Sequence, residues 1–128
     1  MDRQRVTSGS PWEEKFGYRR AIRAGNIVHV SGTAPVGDDG NTFAPSDPYA
    51  QARRCFEIAL KAASELGAEA SHVVRTRMYV TDIRHADDFG RAHGEFFRDH
   101  PPASTMIEVR KLILPDMLIE VEIEAVIP

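Results

Sequence analysis

The final segment of the chain carries three glutamates at alternate positions, Glu120, Glu122 and Glu124. A carboxylate that is partly withdrawn from water can act as a general base and activate a water molecule for hydrolysis. The same alternation is typical of a strand face that contacts solvent, because successive side chains of a strand point to opposite faces. From the residues alone, both interpretations of the glutamates stay open.

A second polar pattern lies in the segment VVRTRMYVT, residues 73–81. If this segment is a strand, one face carries Val73, Arg75, Arg77 and Tyr79. The opposite face then carries Val74, Thr76, Met78 and Val80. The two arginines could hold an anionic ligand, or they could pair with glutamates of a neighbouring strand at about 0.2–1 kcal/mol per pair.

The elements that must position these groups follow from hydrophobic periodicity and capping residues. Residues 48–66 are predicted to form a helix, with Asp47 as its N-cap and Pro48 at its first position, where no N–H needs a partner. Gly67 tolerates the left-handed conformation that often follows a helix. The apolar stripe of this helix is predicted to be Ala52, Phe56, Ala59, Leu60, Ala63 and Leu66.

A second helix is predicted from about Arg84 to Arg98, and the prolines at 101 and 102 end it. Strands are predicted at residues 4–8, 19–24, 26–31, 73–81, 104–109 and 118–127. The resulting order, β-β-β-α-β-α-β-β, predicts an α+β fold in which two helices cover one face of a mixed sheet. We expect residues 1–128 to form a single domain.

Composition excludes several classes of protein. The formal net charge is −3, which disfavours binding to nucleic acid. The one cysteine, Cys55, cannot form an internal disulfide and is expected to be a buried, inert thiol. The N-terminal segment MDRQRVTSGSPWEEK has no apolar core of a signal peptide, and no later stretch approaches the length of a membrane span. We expect a cytoplasmic protein with no membrane association.

The sequence contains no motif for a metal or a phosphate. Its five histidines show neither H-x-H nor HExxH spacing, and GDDG at residues 37–40 is predicted to be a turn. No cofactor is therefore expected. Ser104 could serve as a nucleophile in principle, but the sequence identifies no partner that would activate it.

Six segments of the chain carry a family resemblance through their sequences, their order and their spacing. They are FGYRRAI (16–22), VSG (30–32), VVRTRMYVTD (73–82), EFF (95–97), PPASTMIEV (101–109) and EIEAVI (122–127). Together they resemble the YjgF/RidA family of reactive-intermediate deaminases, over essentially the whole chain. The resemblance implies a chorismate-mutase-like α+β fold. It also implies a homotrimer, with small-molecule pockets at the clefts between subunits.

The resemblance further implies a reaction. Deaminases of the family hydrolyse reactive imines and enamines, so a substrate carboxylate must be held and a water placed beside the C=N carbon. The family's water-placing glutamate falls on Glu122, and its pocket tyrosine falls on Tyr18. The backbone of Ser31 and Gly32 matches the S-G pair that follows the family's third strand.

The segment that would hold the carboxylate departs from the family pattern P-A-R-[ST]-x-x-E-V. Ser104 stands at the arginine's position, followed by Thr105 and Met106 as further candidates for substrate binding. Losing such a clamp should cost roughly 2–5 kcal/mol of binding, because a hydroxyl cannot grip a carboxylate as a guanidinium does. This argues against the archetypal 2-imino-acid reaction unless another cation takes over, and Arg77 is the expected replacement.

Three functions are therefore considered. The first is hydrolytic deamination of a small imine or enamine, including an aminomuconate-type enamine. The second is binding or sensing of a small carboxylate metabolite without catalysis. The third, ribonuclease activity, is disfavoured by the acidic balance of the chain.

Overall fold

A computed structural model describes residues 3–128 and contains a mixed six-stranded sheet. The strands are β1 (Arg3–Val6), β2 (Ala21–Ala24), β3 (Ile27–Thr33), β4 (Val73–Val80), β5 (Ala103–Glu108) and β6 (Ile119–Val126). The helices are α1 (Pro11–Phe16), α2 (Pro48–Glu65) and α3 (Ala86–Phe97). The strand order is β1-β2-β3-β6-β4-β5, in which β4 and β5 run parallel and all other neighbours run antiparallel. The predicted α+β fold with a mixed sheet is confirmed.

Helix α2 begins and ends where its capping residues predict. The Asp47 carboxylate accepts a hydrogen bond from the backbone N–H of Ala50 at 3.0 Å, and Pro48 occupies the first turn. Gly67 adopts a left-handed conformation with φ of 93°, just beyond the C-cap residue Leu66. No helix within residues 3–128 is both long and apolar enough to cross a bilayer.

The core lies between the sheet and helices α2 and α3. Phe56 of α2 packs edge-on against Phe97 of α3, with ring centroids 5.5 Å apart. On the sheet side, β6 contributes the fully buried residues Ile119, Val121 and Ile123. Cys55 is also fully buried, and burial raises the pKa of its thiol well above the ordinary value, as expected of an inert cysteine.

The predicted faces of β4 are correct from Thr76 onward but wrong at its start. Val73 is 4% exposed, whereas Val74 is 48% exposed. The pairing of β4 with β6 shifts register between Val73 and Arg75, so a bulge reverses the alternation at this point. The predicted pattern had placed Val74 on the helix-facing side with Thr76.

Helix α1 was not predicted. This helix has only six residues, and its start and stop signals lie close together. The Ser10 hydroxyl accepts from the backbone N–H of Trp12 at 3.3 Å, Pro11 occupies the first position, and Gly17 ends the helix with φ of 78°.

Helix α3 is shorter than predicted, because residues 83–85 form a 3₁₀ turn before it. The predicted first two strands also begin or end one to two residues away from β1 and β2.

Candidate functional site

A groove of about 370 Å³ opens on the face of the sheet that the helices leave uncovered. Three strands and the segment after β5 form it. Its lining residues are Gly32, Tyr79, Val109, Lys111, Leu112, Glu120 and Glu122. Strand register explains the grouping, since Tyr79 pairs with Glu120 and Arg77 pairs with Glu122 across β4 and β6. The groove therefore collects two carboxyl groups, a phenol and an ammonium group.

Glu120 lies directly against Gly32. A Cβ atom added at position 32 would collide with Oε2 of Glu120, so the carboxyl occupies space that only a glycine leaves open. Burial raises the pKa of Glu120 above its ordinary value, and the positive charge of Arg20 partly offsets this rise. Burial thus makes Glu120 hold a proton more readily than an exposed glutamate does, although its alternation with Glu122 and Glu124 gave no reason to distinguish it.

Glu122, the predicted catalytic residue, reaches the groove from the next outward position on β6. Its Oε1 accepts a hydrogen bond from the phenol of Tyr79, and this bond raises the pKa of Tyr79. The bond fixes the carboxyl in the groove and keeps the phenol protonated. Glu120 and Glu122 therefore share one groove in two different environments.

Arg77, the predicted replacement for the family arginine, does not line the groove. Its Nη1 atom lies 2.8 Å from Oε1 of Glu124 in an ion pair, and this hydrogen bond lowers the pKa of Glu124. Cross-strand pairing was the alternative that the sequence left open for the two arginines. Arg75 is engaged as well, since its Nη2 donates to Oγ1 of Thr105 at 2.7 Å.

Arg20 is a buried cation next to the groove residue Gly32, and the sequence did not single it out. It is 7% exposed, and its Nη1 donates to the carbonyl oxygen of Gly32 at 3.0 Å and to Oγ1 of Thr33 at 3.4 Å. Its Nε has no hydrogen-bond partner among the described residues. Arg20 thereby holds the backbone beneath Glu120 and supplies the charge that moderates the pKa of that carboxyl.

Tyr18 and Ser31 lie to one side of the groove. Tyr18 lines a separate shallow depression with Gly17 and Arg19, and its ring centroid lies 5.6 Å from Cζ of Arg20. The Ser31 hydroxyl donates to the carbonyl oxygen of Arg19 at 2.7 Å. Within one chain, Gly32 therefore joins Glu122 in the groove, whereas Tyr18 does not.

Ser104 lies on the opposite face of the sheet from Glu122. It pairs with Thr76 in the parallel register of β4 and β5, and Thr76 is fully buried beneath the helices. Oγ1 of Thr76 donates to Oγ of Ser104 at 2.7 Å and lies 2.8 Å from Nε2 of His93. Burial lowers the pKa of His93. The structure thus supplies a hydrogen-bond partner for Ser104, Thr76, that the sequence could not identify.

The three predicted substrate-binding residues of β5 are divided between the two faces. Thr105 pairs with Arg77 and shares the face that carries Glu122. Met106 pairs with Met78 and packs against the core. Thr105 is therefore the one residue of this segment, residues 104–106, on the groove side of its own chain.

Lys111 is a groove residue that sequence reasoning missed. It lies in the segment between β5 and β6, whose start is fixed by a 2.7 Å hydrogen bond from the Val109 N–H to the carbonyl oxygen of Val80. Among the described residues its ammonium group makes no ion pair within 4.0 Å and no hydrogen bond within 3.5 Å. Lys111 lies outside any helix or strand, so no periodic pattern in the sequence could predict that it lines the groove.

Comparison with known proteins adds to this geometry. A profile of the family described as Endoribonuclease L-PSP matches residues 12–127. The uncharacterized protein SCO2049 of Streptomyces coelicolor is 41% identical over 122 residues, which cover 95% of this chain and 90% of that protein. The 3-aminoacrylate deaminase RutC of Acinetobacter baylyi is 29% identical over 104 residues, covering 81% of this chain and 82% of RutC.

Solved structures show the same architecture. Rv2704 of Mycobacterium tuberculosis, described as a member of the YjgF/YER057c/UK114 family, superposes with a TM-score of 0.89 at 39% identity. The match covers 98% of this chain and all of the Rv2704 chain. Yeast Mmf1 has the same fold, with a TM-score of 0.83 at 22% identity over 97% of this chain and 92% of that chain.

Proposed function

Because the chain belongs to the YjgF/RidA family, the family also described as Endoribonuclease L-PSP, we propose that it hydrolyses a small imine or enamine in the groove beside Glu120 and Glu122. The observation that carries this proposal is the pair of carboxyls in one groove with different environments. Such a pair suits a reaction that needs both a proton donor and a proton acceptor.

Each carboxyl has one role in the proposed reaction. Glu122, as a carboxylate, accepts a proton from a water molecule while the water oxygen bonds to the carbon of the C=N group. Glu120, in its protonated form, donates its proton to the nitrogen, which gives a carbinolamine. Glu122, protonated in the first step, then returns its proton to the nitrogen, and the C–N bond breaks with its electron pair leaving on the nitrogen as ammonia. Glu120, now a carboxylate, takes the hydroxyl proton as the C=O bond forms, so both carboxyls regain their starting states. An enamine enters the same route after it gains a proton at carbon and loses one from nitrogen, which converts it to the imine.

The relative RutC supports this class of reaction, since its description names an enamine, 3-aminoacrylate, as the compound that it deaminates. An aminomuconate-type enamine remains a candidate within the same chemistry. Ribonuclease activity is less favoured, because the two groove carboxyls would repel a phosphate backbone.

We propose that the working form is a homotrimer in which a neighbouring subunit closes the groove. The groove is open in one chain, and the apolar side chains Ile107, Ile113 and Leu114 are exposed on or beside the segment that borders it. A second chain would cover these side chains and could bring Tyr18 or Ser104 to the groove from its own surface. Sedimentation velocity should give about three times the monomer mass of 14.3 kDa.

A turnover assay tests the proposed reaction. 2-Iminopropanoate is generated in situ from serine by a pyridoxal-phosphate lyase, and keto-acid release is timed against the uncatalysed background. We expect acceleration by the wild type and a loss of roughly 100-fold or more in Glu122→Gln and Glu120→Gln. Glu124→Gln is the matched control, since Glu124 lies on the same strand but pairs with Arg77 outside the groove. Ligand-dependent thermal stabilisation without turnover would instead support a binding protein.

A further inference from the structure

We infer that in this chain Lys111 holds the carboxylate of the substrate, in place of a cation at the position of Ser104. This inference rests on the proposed function and names the cation of that site. Lys111 lines the groove together with Glu120 and Glu122. An anion that enters this groove meets two carboxyl groups, so a cation is required to hold it there.

The other cations around the groove are already engaged. Arg77 forms its ion pair with Glu124 at 2.8 Å, and Arg75 donates to Thr105. Arg20 is buried and donates to the carbonyl oxygen of Gly32. Lys111 lines the groove and, within residues 3–128, forms no ion pair, so its ammonium group can pair with a ligand without giving up a protein partner.

The charge balance of the groove favours the same assignment. The groove is lined by two carboxyl groups, on Glu120 and Glu122, and one ammonium group, on Lys111. Burial raises the pKa of Glu120, which reduces the negative charge that an acidic substrate meets, and the substrate carboxylate can lie at Lys111 while the C=N carbon faces Glu122. A lysine ammonium binds as a point charge on a flexible stem, so it accepts carboxylates at varied positions better than a fixed guanidinium fork would.

Binding of two nearly isosteric compounds tests the inference apart from catalysis. Pyruvate carries the carboxylate that the reaction product would carry, and pyruvamide replaces it with a neutral amide. We expect wild-type protein to bind pyruvate about 10-fold more tightly than pyruvamide, measured by NMR titration. Lys111→Met should abolish this preference, and Lys111→Arg should retain it. Arg110→Met is the control, because Arg110 is the adjacent exposed cation and does not line the groove.

The outcomes separate the two proposals. A preference for pyruvate that Lys111→Met removes supports the inference, even if the wild type fails to hydrolyse the imine and the proposed reaction is wrong. In a protein that does turn over, Lys111→Met should raise KM for 2-iminopropanoate about 10-fold and leave kcat nearly unchanged. Equal affinity for the two compounds in the wild type, binding of neither, or an equal effect of Arg110→Met would overturn the assignment.

Discussion

The carboxyl group of Glu120 lies against Gly32, in the space that a side chain at position 32 would fill. Gly32 does not adopt a left-handed backbone conformation, so its lack of a side chain serves the close approach of Glu120. Arg20 donates to the carbonyl oxygen of the same residue at 3.0 Å. One glycine thus contacts both the groove carboxyl and the buried cation that moderates its pKa.

Replacing this glycine should displace Glu120 and leave the fold intact. In Gly32→Ala the new Cβ would meet the end of a flexible side chain, which can rotate away. We expect turnover to fall roughly 10–100-fold, because misplacing a catalytic group by about 1 Å has effects of that size. Thermal unfolding should change little. Wild-type turnover in this variant would contradict a role for the position of Glu120.

Gly90 offers a comparison at a site with no close contacts. It lies inside helix α3, and a Cβ atom there would meet nothing within 4 Å. Gly90→Ala should therefore stabilise the protein by about 0.5–1 kcal/mol, since alanine loses less backbone entropy than glycine in a helix. Urea unfolding measures the change, and a loss of stability would show that position 90 contacts something outside this chain.

The stability of the protein should depend on pH in opposite ways through Glu120 and Glu124. Burial raises the pKa of Glu120, so the stability that its protonated form provides is present below the ordinary pKa of 4.5 and is lost as the pH rises through the higher folded-state pKa. The hydrogen bond from Arg77 lowers the pKa of Glu124, so that contribution is present above 4.5 and is lost as the pH falls.

Two variants separate these contributions. Relative to the wild type, Glu120→Gln should gain stability as the pH rises above 4.5, whereas Glu124→Gln should lose stability as the pH rises toward 4.5 from below. Urea unfolding at a series of pH values provides the comparison. Parallel curves for the two variants would mean that the two carboxyls do not differ in environment.

Removing the charge of Arg20 should shift the pH dependence of turnover. The positive charge of Arg20 lowers the pKa of Glu120, so Arg20→Met should raise that pKa further and move the alkaline limb of the kcat profile to higher pH. The lost hydrogen bond to Gly32 should cost about 1–3 kcal/mol of stability. Arg20→Lys keeps the charge and should leave the limb near its wild-type position. An unchanged pH profile in a folded Arg20→Met protein would show that the charge of Arg20 does not affect the pKa of Glu120.

His93 should make the protein less stable in mild acid. Burial lowers its pKa below the ordinary value of 6.5, so the folded state binds this proton less readily than the unfolded state does. The associated stability is present above pH 6.5 and is lost as the pH falls through the folded-state pKa. His93→Asn should flatten this part of the stability curve. Thr76→Val removes the hydrogen-bond partner but no titrating group, so it should retain the slope.

The sequence by itself determined the elements and their layering. Helix α2 could be predicted because Asp47, Pro48 and Gly67 act within a few residues of the helix ends. The polar face of β6 could be predicted because alternation is a property of a single strand. The bulge near Val74 could not, since it exists only where β4 pairs with β6.

Only the tertiary structure decided which polar residues meet. Three alternating glutamates look alike in the sequence, but packing places Glu120 against Gly32, joins Glu122 to Tyr79 and pairs Glu124 with Arg77. The parallel register of β5 places Ser104 beside Thr76, which also contacts His93, on the face away from the groove. Strand register, side-chain burial and the path of the segment that carries Lys111 all depend on residues that are distant in the chain. A pattern within a few neighbouring residues therefore cannot predict them.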